Sequence, residues 1–158
     1  MRGVTLASLF ILLMFIWVNN GNFFLEQQEK EIVQRYYQAL MDEDYERSFE
    51  SLYLYDTSGG KPPVEGTSLN NAVTKDLYLT KIERLKEHDY KVVGFEIEKV
   101  KYEDGHTSFL EIEVETDVFG KRHFWSETID IWEGKVWIVD SNDPLAKYRN
   151  GDMGVKLE

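Results

Sequence analysis

Four strand-like runs follow one another between Lys91 and Asp140, and no other stretch of the chain restricts the fold as strongly. They span Lys91–Glu103, Thr107–Val118, Arg122–Trp132 and Lys135–Asp140. Each is dense in Val, Ile, Phe, Tyr, Trp and Thr, which suit a pleated, half-buried surface. Asp104-Gly105, Gly120 and Glu133-Gly134 fall at the joints, where a tight hairpin needs positive φ. The pattern predicts an antiparallel four-strand meander, and whatever precedes it must cover one of its faces.

The second run states that requirement most clearly. Leu110, Ile112, Val114, Thr116 and Val118 alternate with Glu111, Glu113, Glu115 and Asp117. Strict alternation puts one face on a core and the other in water. The acidic column is expected to be solvated and paired with residues such as Lys99, Lys101 and Lys121 rather than to hold a cation. In the third run, His123, Trp125, Glu127, Ile129 and Ile131 share one face, while Phe124, Ser126, Thr128, Asp130 and Trp132 share the other. Bulk on both faces suggests a central strand or one that borders a cavity. In the fourth, Val136 and Ile138 oppose Trp137 and Val139.

The helices that cover the sheet are legible upstream. Glu26–Met41 carries Ile32, Val33, Tyr36, Tyr37 and Leu40 at steps of three and four, with Glu29, Lys30, Gln34, Arg35 and Gln38 facing away. Asp42-Glu43-Asp44 breaks the pattern and supplies a cap for a second short helix with Tyr45, Phe49 and Leu52 inward. Adjacent carboxylates of this kind lack the spacing of a calcium loop. A third helix is expected over Lys75–Glu87. Thr74 would be its cap, Val73 would staple onto Tyr78, and Tyr78, Ile82 and Leu85 would form its apolar line. Lys81, Glu83, Arg84 and Lys86 would face outward.

Between these helices, Tyr53 to Asn71 is polar and turn-rich around Gly59-Gly60-Lys61-Pro62-Pro63. It lacks the glycine spacing and following Ser/Thr of a phosphate loop, and reads as a candidate rim of a pocket or contact surface.

Location is written in the first residues. Met1-Arg2-Gly3 is a minimal positive start, and Val4–Val18 is a run without charge. Its length suits the core of a signal peptide and is short of a spanning helix. Asn19-Asn20-Gly21-Asn22-Phe23-Phe24 offers no small-residue cleavage site, and Trp17 and Phe23 suit an interface. The segment reads as an uncleaved signal-anchor, with a cleaved signal peptide as the other reading. Either sends the remainder outward, to a membrane-anchored or secreted location. The resulting organisation is a targeting segment over 1–25, an α+β domain over 26–143 and a loose tail over 144–158.

Composition narrows the partners. A net charge of -11 repels nucleic acid and anionic headgroups. The absence of cysteine excludes disulfides and thiol catalysis. Trp125, Trp132 and Trp137 could wall a pocket or simply fill a core. His123 could pair with Asp140 as acid and base if the register allowed. Glu127 lies about 13 Å from His123 by strand rise, too far for contact. No nucleophile elbow, zinc helix motif or dinucleotide glycine pattern is present.

Two stretches carry a likeness to a known family. Tyr36–Leu52 (YYQALMDEDYERSFESL) looks like a first helix turning into a second at a short acidic step. Ser126–Asp140 (SETIDIWEGKVWIVD) looks like a closing hairpin with a Gly-Lys turn. Over roughly Glu26–Asp140 the chain resembles the nuclear transport factor two-like superfamily, the cystatin-like α+β roll. The resemblance implies N-terminal helices packed on a curved meander, a cone-shaped roll. It also implies a range of activities from dehydratases and isomerases to non-enzymatic domains outside bacterial membranes. The expected function is an extracytoplasmic binding or interaction module without a cofactor or metal. Its partners would be the membrane through the N-terminal segment, and a protein or small apolar ligand. The alternatives are a lyase or isomerase, with a pocket drawn from Tyr36, Trp125 and Trp137 and a base from His123 or Asp140, and an assembly module using the acidic sheet face.

Overall fold

The computed structural model describes residues 25–53, 75–103 and 107–149. The apolar N-terminal segment, the Gly-Pro connector, the Asp104-Gly105 joint, the Thr74 cap with its Val73 staple, and the chain beyond Arg149 lie outside the described residues. Within them, β1 (Tyr90–Glu103), β2 (Thr107–Val118), β3 (Lys121–Trp132) and β4 (Lys135–Ser141) form one antiparallel sheet in the order β1-β2-β3-β4. Helices pack on one face of this sheet, giving the expected α+β class. Among the described residues no helix is long and apolar enough to cross a membrane.

Alternation along β2 decides which face is covered. Leu110, Ile112, Val114 and Thr116 are buried. The carboxylates opposite them face out, where Lys101 pairs with Glu111 and Arg122 reaches Glu115 at 3.0 Å and Asp117 at 3.4 Å. Lys101 takes the expected role, whereas Lys99 and Lys121 make no ion pair among the described residues and Arg122 stands in their place. Exposed pairs like these contribute at most about 1 kcal/mol each. Three irregularities keep the apolar residues on the core side. Val93 and Glu98 are extra residues in β1, and Val139 is extra in β4 opposite the Thr128–Ile129 step. Because side chains alternate, each insertion resets the phase of its strand.

The first helix, α1 (residues 25–41), buries Ile32, Val33, Tyr36, Tyr37 and Leu40, the whole predicted stripe. It stops where Glu43 enters the left-handed region at φ 55°, and the Asp44 amide turns back to the Ala39 carbonyl at 2.8 Å. Asp44 then caps α2 (Tyr45–Ser51) by accepting from the Arg47 amide at 3.1 Å. One acidic step therefore ends one helix and starts the next. The third helix, α3 (Lys75–Glu87), keeps its predicted bounds and buries Tyr78, Ile82 and Leu85. Lys81 departs from expectation. It is 1% exposed rather than outward, because α3 packs against α2 and α4 as well as the sheet, and its buried face is wider than one stripe.

The chain after the sheet also departs from the loose tail expected from residue 144. Ala146–Arg149 forms a short helix, α4, and Ala146 and Arg149 are buried. Arg149 enters the core and meets Glu127 there, and Asp143 holds the start of the helix through the Leu145 and Ala146 amides.

Both described hairpin turns have two residues at positive φ, Phe119 (51°) with Gly120 (76°) and Glu133 (52°) with Gly134 (72°). This mirror-image turn suits Asn-Gly best, because a bulky side chain in the left-handed region is strained. Phe119 is also 64% exposed, so little packing offsets the strain. Phe119→Asn is expected to raise stability by about 1 kcal/mol, read as an increase in the urea midpoint. An unchanged or lower midpoint would show that the Phe119 ring, which lies 6.3 Å from that of His88, contributes more than the backbone loses.

Candidate functional site

The space between helices and sheet is the first place to look for chemistry, and a charged cluster fills it. Alternation puts Glu127 on the core face of β3, between Trp125 and Ile129, where it is 1% exposed. Its carboxylate accepts from the Tyr37 hydroxyl at 2.5 Å and the Ser141 hydroxyl at 2.8 Å. The Arg149 guanidinium meets it with two nitrogens: Nη1 donates to Oε2 at 3.3 Å and Nη2 to Oε1. Arg149 also donates to the hydroxyls of Tyr90 at 3.2 Å and Tyr36 at 3.4 Å. The Tyr90 hydroxyl in turn donates to Asp143 at 2.6 Å. Asp143 is itself fixed by the Leu145 amide, which donates to its Oδ1 at 2.8 Å.

Each member of this cluster answers another's charge or polarity. Burial, the largest single influence, works against the charge on Arg149, but Glu127 together with Tyr90, Tyr36 and Tyr37 outweighs it and holds the guanidinium well above its ordinary range. Burial raises the Tyr36 and Tyr37 hydroxyls well above theirs. Arg149 opposes that rise at Tyr36, while Glu127 adds to it at Tyr37. The void beside Arg149, under Leu40, Tyr45 and Leu85, is about 10 Å³, roughly room for one water. A bidentate, fully partnered ion pair in so small a space is suited to holding elements together.

The residues expected to line a pocket do not converge. Tyr36 lies in this core, fully buried. Trp125 is on the same face of the sheet, where its Nε1 donates to Thr116 at 2.9 Å and its ring stacks on His123 at 5.6 Å. Trp137 pairs with Asp130 and so lies on the opposite face. His123 pairs with Thr116 whereas Asp140 pairs with Thr128. Five positions of β3 separate them, about 17 Å by strand rise, on opposite faces. They make no acid–base pair. Among the described residues, no three His, Asp or Glu side chains gather as a metal site requires.

An open groove lies on the surface instead, about 520 Å³ in volume, where α1, α2 and the β3–β4 turn meet. Its position follows from a parallel bridge between Leu52 and Val136 and from the Tyr53 amide, which donates to the Val136 carbonyl at 2.7 Å. These contacts set the last turn of α2 against the start of β4. Ile32 and Ser51 form the floor, and the Ser51 hydroxyl is satisfied by the Arg47 carbonyl at 2.9 Å. Arg35, Arg47 and Lys135 line the rim with Glu50 and Glu133. Sequence reasoning put Arg35 on the outward side of α1 but did not assemble this rim. The cap at Asp44 and the two-residue turn at Glu133-Gly134 were the signals available, and neither indicates that α2 docks on β4.

Comparison of the chain with protein-family models and with curated proteins finds no match in either.

Two outcomes test the buried cluster. Arg149→Ala leaves Glu127 buried without its counter-charge and is expected to cost about 3–5 kcal/mol, whereas the double variant Arg149→Met/Glu127→Leu regains most of it. Urea unfolding of the full chain measures both; an Arg149→Ala midpoint equal to that of the parent would remove the cluster's structural role. Alkali supplies the other test. Burial, first among its causes, pushes the hydroxyls of Tyr45 and Tyr78 up to about 12 from 10.0. Below pH 10 both states keep these protons. Above it the unfolded chain releases them and the folded chain does not, so stability falls between pH 10 and 12. Tyrosinate absorbance from the buried rings is expected to rise together with loss of far-ultraviolet dichroism, and not before it.

Proposed function

We propose that this chain is a non-enzymatic binding domain held outside the cytoplasm, tethered to a membrane by residues 1–25 or released after their removal. We also propose that its helices and meander belong to the cone-shaped roll of the nuclear transport factor two-like superfamily. The observation that carries the binding role is the contrast between interior and surface. Among the described residues, the void beside Arg149 is about 10 Å³, while the groove between α1, α2 and the β3–β4 turn is about 520 Å³, within the range of ligand sites. The location rests on Val4–Val18 and the positive start before it. A lyase or isomerase would need a base facing an enclosed pocket, and neither His123 nor Asp140 faces one among the described residues.

The test is a fusion of the full chain to a reporter enzyme that is active only outside the cytoplasm. Reporter activity, with protease access to the domain in intact spheroplasts, is the expected result. A domain protected from protease together with a silent reporter would end the reading.

A further inference from the structure

The groove carries a second regularity, in its charges. The chain has 29 acidic and 18 basic residues, so a cation on its surface is surrounded by candidate partners. Lys30, Lys75, Lys91, Lys101, Arg122 and Arg149 each meet a carboxylate. Arg35, Arg47 and Lys135 make no ion pair among the described residues, although Glu50 and Glu133 line the same groove. Three cations from three separate elements are thus turned to one cleft with their charge unanswered.

We propose that this groove binds a compact ligand through a single carboxylate group, received by Arg35 and Arg47, with Lys135 adding charge from the turn. The proposal rests on the reading of the chain as a binding domain and names the chemistry of that site. Guanidinium forks match a carboxylate with two parallel hydrogen bonds, which an ammonium cannot do. Ile32 in the floor gives the body of the ligand an apolar surface. A polyanion is disfavoured twice, by the net charge of -11 and by Glu50 and Glu133 at the rim. One carboxylate meets the attraction of the cations without the full repulsion of the chain. Such a group could come from a peptide terminus or from a free organic acid, and the chemistry at the groove is the same.

The test uses the full chain, nitrogen-15 labelled, in zwitterionic detergent micelles at low salt. Its probes are acetyl-trialanine with a free C-terminal carboxylate, the same peptide as its amide, propionate and sodium chloride. Saturable shifts confined to amides of residues 32–35, 47–51 and 133–135 are expected with the free carboxylates and not with the amide. Tighter binding of the peptide identifies a chain terminus as the source, and tighter binding of propionate identifies a small acid. Arg35→Gln and Arg47→Gln are each expected to weaken binding about tenfold. Lys121→Gln removes an exposed lysine elsewhere and is expected to leave binding unchanged. Equal shifts with the amide, or with chloride (an adventitious ion only), would overturn the proposal, as would undiminished binding in both arginine variants. Absence of shifts with every probe would overturn it too. Such failures remove the ligand class and leave the domain's location to the reporter assay.

Discussion

The Glu127–Arg149 pair is the interaction on which the rest of the described structure depends. Removing either ion from water costs several kcal/mol, and only close geometry with additional hydrogen bonds offsets it. Those bonds come from Tyr36 and Tyr37 on α1, Tyr90 at the start of β1 and Ser141 at the end of β4. A single pair thus ties together the first helix, both edges of the sheet and the chain that follows it. The same demand explains why the interior is occupied. The tyrosine hydroxyls and the Asp143 carboxylate fill the space around the pair.

Much of this architecture was legible because it is periodic. The stripe on α1, the bounds of α3 and the alternation of β2 each repeat often enough for the pattern to identify the covered face. Grouping Trp125 with Trp137 as walls of one pocket was a misreading that loop length could have prevented. A two-residue turn at Glu133-Gly134 pairs Trp132 with Lys135 and hence Asp130 with Trp137, which separates Trp137 from Trp125. The interior cluster was only half legible. Glu127 stands out as a carboxylate among core-facing residues, but its partner lies in Leu145–Glu158, a stretch without periodicity or alternation. Bulges at Val93, Glu98 and Val139 leave no mark that distinguishes them from ordinary strand residues. The groove depends on how α2 docks against β4, and a single parallel bridge has no pattern to read.

Interior and surface therefore divide the charged residues between two kinds of work. Inside, Glu127, Arg149 and Asp143 answer one another through close contacts and the tyrosine hydroxyls. On the outer sheet face, carboxylates are answered by Lys101 and Arg122 at little energetic consequence. At the groove, Arg35, Arg47 and Lys135 converge from separate elements and make no ion pair among the described residues, although Glu50 and Glu133 share the rim. Leu52 and Val136, both buried, fix that convergence, so the rim inherits the rigidity of the core beneath it.

The order of Glu127 and Arg149 along the chain has a consequence for biosynthesis. Arg149 follows its partner by 22 residues and comes after all four described strands. A chain made from its N-terminus can pair the meander hairpin by hairpin, since neighbouring strands are also neighbours in sequence. It cannot bury the Glu127 carboxylate at acceptable cost until α4 has been synthesised and released. The helices must therefore settle on the sheet only after the whole of β4 and α4 is out. If the domain is exported while it is being made, its core closes on the far side of the membrane.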